Sequence, residues 1–472
     1  MMGILRQKQF VDPLLRFLGS NRPFLGICVG MQALFEGSDE APLEKGLGIL
    51  PGRVKRFDVD LSVPHIGWNG ISVKQPTDLF YGLAGDEKFY FVHSYHAVAD
   101  DPSVVLTTTD YGYPFVSAVQ KGSIQGTQFH PEKSGASGLT VLENFIRKDR
   151  QLAIPGKSPS QTRLAKRIIA CLDVRANDRG DLVVTKGDQY DVRESGNVRN
   201  LGKPVELAGR YYEEGADEVT FLNITGFRDF PLEDMPMIRV LEETSRNVFV
   251  PLTIGGGIRD FTDKNGRTYT ALEVAAEYFR SGADKVSIGS DAVYIAEAYL
   301  KTGQKTGQSA IEQISYVYGN QAVVISIDPR RVYVHSPDQT PHPTVETNSP
   351  GPEGQRYCWF QCTVKGGREG RDMDAVTLAQ TCEKLGAGEV LLNCINRDGT
   401  NMGFDIELIN AVKQAVSIPV IASSGAGCEA HFAEVFERTE AESALAAGIF
   451  HRREVPISAV KAHLKGRVEV RL

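Results

Sequence analysis

The stretch GICVG, residues 26–30, sets Cys28 between an apolar run and an amphipathic one. Small residues two before and two after a nucleophile permit a sharp strand-to-helix turn, and a helix N-terminus favours the thiolate. Gly26 and Gly30 fill those two places. Downstream, QGTQFHPEKS carries His130 with Glu132 two residues on. A histidine can take the thiol proton and a carboxylate can orient its ring, so Cys28, His130 and Glu132 have the types a covalent nucleophilic site needs. A lone buried cysteine is otherwise packing material. The partner residues favour chemistry.

A second set of candidates is acidic. Asp173 in CLDV and Asp328 in SIDP each close an apolar, strand-like run, as does Asp398 in NRDGT. Two carboxylates facing one substrate can divide acid and base work. The alternative is that each caps its following loop through backbone amides. Four glycine-containing turns follow such runs: TIGGGI (253–258), SIGSD (287–291), ASSGAG (422–427) and LAAGIF (445–450). Glycines let backbone N–H groups approach an anion, and helix N-termini add partial positive charge. Lys186 in VVTKG could meet a phosphate or substrate oxygen, or be a solvated lysine.

These residues must be held by elements. Apolar runs alternate with amphipathic ones after residue 163: RIIACLDV, EVTFLNI, FVPLTIGG, KVSIGS, AVVISID, EVLLNCI, PVIASSG and ALAAGIF read as strands. Helical patterns such as PVELAGRYYEEG, ALEVAAEYFRSG, AVTLAQTCEKLG and IELINAVKQAV lie between them. Eight such units predict a (β/α)8 TIM barrel over 164–472. In that fold the ends of strands one and five face each other across the mouth, which pairs Asp173 with Asp328. GADEVTFLNI echoes GAGEVLLNCI, and VPLTIGGGI echoes IPVIASSGAG, so the barrel reads as duplicated half-barrels. The turns after strands seven and eight are the usual phosphate site of this barrel class. Their copy after strands three and four predicts a second one, and thus a substrate with a phosphate at each end. Two segments break the rhythm. Residues 175–203 form a candidate lid, and 335–355, rich in Pro and Ser, has the composition of a mobile surface insertion. QLAIPGKSPSQTR (151–163) reads as a linker, which leaves 1–150 as a separate domain.

Bulk properties narrow the class. A net charge of -7 excludes a broad nucleic-acid surface, so anions must be held by local loops. Seven scattered cysteines without a CxxC pair argue for reduced thiols. No apolar run is long enough to span a membrane. The first residues form an amphipathic pattern without the features of a targeting peptide.

The motifs AKRIIACLDV, VVTKGDQY, IGGGIRD, NRDGT, IASSGAG and AAGIFHRRE resemble the cyclase part of imidazole glycerol phosphate synthase. Cys…His-x-Glu is similar to the triad of class I glutamine amidotransferases, and the fusion resembles the bifunctional eukaryotic type. The likeness covers essentially the whole chain. It implies that ammonia from glutamine converts phosphoribulosyl-formimino-AICAR phosphate to imidazole glycerol phosphate and AICAR ribonucleotide. It also implies an α/β fold: a doubly wound amidotransferase domain ahead of the barrel. Only 21 residues precede Arg22, where the family has further strands and a PGVG-type segment, so an N-terminally incomplete domain is expected.

By resemblance Asp173 and Asp328 are the acid/base pair and Lys186 orders the lid. Gly257, Gly289 and Ser290 fall at one phosphate site; Ser423, Gly425, Ala447 and Gly448 fall at the other; Asp398 counts among the substrate- or phosphate-binding residues. The chain has Gly-Ser at 289–290 where bacterial relatives have Asn-Thr, and Asn223 where they have Asp, so the first site is expected to lean on backbone amides. Gln32, Glu40, Ser94 and Tyr95 would line the glutamine pocket. Arg167, Glu218, Lys285 and Glu389 open four barrel strands. Alone they read as a stabilising ion-pair ring on the bottom face; the family adds entry of ammonia there. Trp68, Tyr90 and Lys133 would face the barrel, with Lys133 and Trp68 meeting Asp284, or else be core aromatics and a surface charge.

The alternatives are an ammonia-dependent cyclase whose amidotransferase domain is a non-catalytic scaffold, and the related isomerase of the same pathway, which lacks GICVG…HPE. Neither metal nor cofactor is expected, and the fusion implies a monomer. Plant relatives are plastid proteins and fungal ones cytosolic; the sequence leaves the compartment open between the two.

Overall fold

The computed structural model describes residues 1–147, 162–177, 181–185, 193–194, 197–198, 200–224 and 236–472. They fall into two compact units, Met1–Ala165 with Arg471, and Lys166–Val470 with Leu472.

The first unit is built on a mixed sheet. Phe24–Ile27 lies parallel to Ile124–Thr127, which continues antiparallel to Tyr113–Lys121, then Tyr95–Ala99 and Gly52–Arg56, with Gly37–Ser38 parallel at the far edge. His65–Gly70 and Lys88–His93 form a separate antiparallel pair. Helix Val11–Gly19 contributes Leu18 to a core with Met31, Leu34, Phe35 and Val54. A second core is aromatic: Phe57, Phe80, Phe89, Phe91, Phe115 and Phe129.

The second unit is a closed ring of eight parallel strands: Arg167–Ala176, Glu218–Asn223, Leu252–Gly255, Lys285–Ile288, Val323–Ile327, Glu389–Asn393, Val420–Ser423 and Ser443–Ala446. Closure is direct, since Arg167–Ala170 of the first strand pairs in register with Ser443–Ala446 of the last. Inside, Ile169, Cys171, Val324, Leu391, Ile421 and Leu445 pack together, so the ring is a filled core. The strands form where β-branched and apolar residues run without interruption. The intervening helices start on capping side chains: Thr270 and Ser309 in reciprocal boxes with Glu273 and Glu312, and Asp374 and Asp405 on the amides of Thr377 and Leu408.

Part of the segment after strand five is anchored. Within 335–355, Val345–Glu346 joins an antiparallel sheet with Pro329–Val334, Tyr357–Val364 and Glu369–Asp374. The cause is a buried charge. Arg331 grips Asp405 with both arms, at 2.8 and 2.5 Å, and meets Glu407 at 2.9 Å and the Thr347 hydroxyl at 2.7 Å. Burial opposes the Asp405 charge, but the Arg331 guanidinium outweighs it and holds the carboxyl below its usual range. The candidate lid is described only in part: Leu182–Val184 folds back antiparallel on Val174–Ala176, and Lys186 lies outside the described residues. Residues 151–161 of the expected linker lie outside them too.

Candidate functional site

Cys28 follows the strand Phe24–Ile27 and caps the short helix Val29–Gln32. Its backbone sits at φ 51, ψ -108, a conformation L-residues rarely adopt, so the side chain is presented on a strained turn. A Cβ on residue 26 would lie 2.7 Å from the carbonyl of Gly30, so only glycine fits there. The expectation for Gly30 is corrected: a Cβ at that position meets open space, because Cys28 itself takes the unusual backbone angles.

His130 Nδ1 is 2.7 Å from Glu132 Oε1, and its ring also hydrogen-bonds to the Cys28 thiol. Burial disfavours a charged ring, but Cys28 on one side and Glu132 on the other outweigh it and hold His130 well above its usual value. Glu132 is likewise held below the usual carboxylate range: burial opposes, and the His130 contact prevails. The three residues therefore form one hydrogen-bonded set in which the His130 ring is held protonated between its two neighbours.

A cleft beside this set is lined by Val29, Gln32, Gly37, Glu40 and Glu44, among others. Of the four expected pocket residues, Gln32 and Glu40 line it. Tyr95 is not among its lining residues, but its carbonyl accepts from Gln32 Nε2 at 2.8 Å. Burial and the nearby Glu40 carboxylate push the Tyr95 hydroxyl up. Ser94 is buried, its carbonyl accepting from Phe57 N, and is not among the residues lining the cleft. Trp68 and Tyr90 stand opposite each other on paired strands, buried, with ring centroids 5.9 Å apart. Lys133 ends the turn Pro131–Lys133.

In the barrel, Asp173 lies on strand one and Asp328 directly follows strand five, four places apart in a ring of eight. Asn393 Nδ2 donates to Asp328 Oδ1 at 2.9 Å. Burial pushes the Asp328 carboxyl up, against the Asn393 bond and with the help of Asp398. Ser423, Gly425, Ala447 and Gly448, the four residues expected at the second phosphate site, line one cleft, and Asp398 lines it with them. Gly425, at φ 98, could not be replaced: a Cβ would sit 2.3 Å from the Gly403 carbonyl. Gly257 and Gly289 follow the neighbouring third and fourth strands, and Ser290 Oγ accepts from Lys365 N at 3.0 Å.

At the opposite ends of the strands, Arg167, Glu218, Lys285 and Glu389 are the first residues of strands one, two, four and six. All four are fully buried and form a closed ring. Arg167 meets Glu218 at 3.0 Å and also Glu389; Lys285 meets both glutamates at 2.7 Å. Burial opposes the Glu389 charge, but Arg167 and Lys285 hold it below the usual range. Asp284 accepts from Leu252 N at 2.8 Å.

Three residues escaped the sequence reading. Asn393 orients Asp328; a polar residue closing a strand was its signal. Arg452 lines the cleft of Ser423 and Gly425 and pairs with Glu454 at 2.7 Å. Gln128 touches Cys28, and only its place two residues before His130 hinted at it.

The chain matches two families: Glutamine amidotransferase class-I over residues 6–148 and Histidine biosynthesis protein over residues 167–456. It is 58% identical to the imidazole glycerol phosphate synthase hisHF, chloroplastic, of Arabidopsis thaliana, across 100% of this chain and 81% of that protein. The chain belongs to the imidazole glycerol phosphate synthase family. The hisHF protein of Schizosaccharomyces pombe is 57% identical across 98% of this chain and 88% of its own length. The subunit HisF of Methanosphaera stadtmanae is 42% identical across 64% of this chain. The family's fused form explains why an amidotransferase unit and a barrel share one polypeptide. It is an enzyme acting on small molecules.

Proposed function

We propose that this chain hydrolyses glutamine in its first unit and uses the ammonia in its barrel to convert phosphoribulosyl-formimino-AICAR phosphate into imidazole glycerol phosphate and AICAR ribonucleotide. The Cys28 thiolate attacks the glutamine carboxamide. His130 gives its proton to the departing ammonia, and water then cleaves the thioester to glutamate, restoring the thiol–imidazole pair. Gln32, Glu40 and Tyr95 hold the glutamine, with Ser94 behind them.

In the barrel, Asp328 acts as the proton donor, which its raised proton affinity supports, and Asp173 opposite acts as the acceptor. Ser423, Gly425, Ala447 and Gly448 hold one phosphate beside Asp398; Gly257, Gly289 and Ser290 hold the other; Lys186 orders the lid. Ammonia enters through the ring of Arg167, Glu218, Lys285 and Glu389, dry enough to keep it unprotonated. Trp68, Tyr90, Lys133 and Asp284 serve the passage between the two reactions. We assign a monomer, because both activities lie in one chain. The 1–150, 151–163 and 164–472 division belongs to the same reading.

The observation that carries it is the hydrogen-bonded Cys28–His130–Glu132 set in the same chain as opposed barrel aspartates. Turnover of the bis-phosphorylated substrate with glutamine, and separately with an ammonium salt at high pH, tests it. Cys28→Ser abolishes the first and spares the second; Asp173→Asn abolishes both. Cyclisation that survives Asp173→Asn would overturn the barrel assignment. Equal activity of wild type and Cys28→Ser with glutamine would overturn the amidotransferase one.

A further inference from the structure

Gln128 is fully buried and stands between two other groups of the first unit. Its Nε2 lies 3.4 Å from the Cys28 sulfur, and its Oε1 accepts from Gln32 Nε2 at 3.0 Å. An amide can be turned over, so its orientation must be argued from its neighbours. The Tyr95 carbonyl, 2.8 Å from Gln32 Nε2, can only accept. Gln32 must therefore present its nitrogen there, and that same nitrogen faces Gln128. A donor facing Gln128 demands its oxygen, which leaves the Gln128 nitrogen, and no acceptor, for the sulfur.

The Tyr95 carbonyl also faces His93 Nδ1 at 2.8 Å, so that nitrogen carries the proton. His93 Nε2 then accepts from His65 Nδ1 at 3.3 Å. Both rings are buried, and burial drives both toward the neutral form, His93 down to about 3. A neutral pair with defined tautomers fixes the carbonyl that fixes Gln32.

We propose that Gln128 is a further catalytic group of the glutaminase site, its Nε2 donating a hydrogen bond to the Cys28 sulfur and stabilising the thiolate. Gln32, the Tyr95 carbonyl and the His65–His93 pair are positioning groups that hold the amide nitrogen toward the sulfur. His130 supplies the charge that the thiolate needs; Gln128 supplies a neutral, oriented donor that cannot take the proton away. The proposal rests on the reading of Cys28 as the nucleophile. A hydrogen bond to a charged group is worth on the order of ten- to a hundredfold in an equilibrium.

The test uses the full chain without glutamine and follows alkylation of Cys28 by iodoacetamide across pH. The site is read from the peptide that carries it, since Cys428 is also partly exposed while the other five cysteines are buried. Gln128→Ala slows alkylation near neutral pH by about tenfold and moves the pH midpoint up by about one unit. Gln128→Glu slows it further, because a carboxylate still accepts from Gln32 but offers the sulfur no donor and adds a like charge. A packing role predicts the reverse order, with the isosteric glutamate milder than alanine. Unchanged alkylation in Gln128→Ala, or a faster Gln128→Glu than Gln128→Ala, overturns the donor role alone. A wild-type Cys28 no more reactive than Cys428 overturns both this proposal and the nucleophile reading beneath it.

Discussion

Glu389→Gln removes one of four charges from a ring in which every side chain is fully buried. Arg167 and Lys285 then share Glu218 alone, leaving one uncompensated positive charge inside the barrel end. Breaking a buried ion pair from one side costs roughly 3–5 kcal/mol, since the orphaned partner keeps its desolvation penalty. The barrel unit has about 300 residues, and unfolding entropy runs near 2.1 cal/mol/K per residue, so a loss of about 4 kcal/mol lowers the barrel transition by roughly 6 °C. Differential scanning calorimetry at pH 7 reads the shift. The companion variant Glu389→Leu/Lys285→Met removes one charge of each sign and leaves the Arg167–Glu218 pair intact; it recovers more than half of the loss. A single variant within about 1 °C of wild type, or a double variant no better than the single, would refute the reasoning.

Three further outcomes follow from the geometry. Gly26→Ala pushes a methyl group to 2.7 Å from the Gly30 carbonyl and shifts the turn that carries Cys28; glutamine-driven turnover falls at least tenfold while ammonium-driven turnover does not change. His65, His93 and His96 are held below, and His130 above, the ordinary histidine value. The lowered rings contribute stability that is full above about pH 6.5 and is lost as pH falls below it, at about 1.4 kcal/mol per pH unit for each ring down to its own folded value. His130 works the other way, but it is one ring against three, so the urea midpoint of the first unit falls between pH 7.5 and 5.5; an unchanged midpoint contradicts this. If the cleft lined by Arg452 takes a phosphate as proposed, Arg452→Gln raises KM for the bis-phosphorylated substrate by about tenfold with kcat little altered, measured with ammonium as nitrogen donor; an unchanged KM removes Arg452 from substrate binding.

The barrel was legible because its signals are local. Each strand is a short, largely apolar run, and the half-barrel echo places Glu218 and Glu389 at matching strand starts. The triad was legible because a nucleophile, a base and an orienting acid are rare types at fixed spacing. What stayed hidden depends on partners far along the chain. Residues 335–355 look like loop by composition, yet the sheet they join is held by Arg331 on Asp405, 74 positions later. The direction of the Gln128 amide is set by Gln32, 96 positions earlier. Gly30 looked indispensable because a sharp turn usually draws its freedom from glycine; here the positive φ sits on Cys28.

The central claim is that nitrogen from glutamine, released at Cys28, enters the product made in the barrel. Supplying glutamine labelled with 15N at the amide, together with unlabelled ammonium at neutral pH, and reading the imidazole product by mass spectrometry tests it most directly. The account predicts labelled imidazole glycerol phosphate from the wild type and only unlabelled product from Cys28→Ser. Unlabelled product from the wild type, at any glutamine concentration, would contradict it.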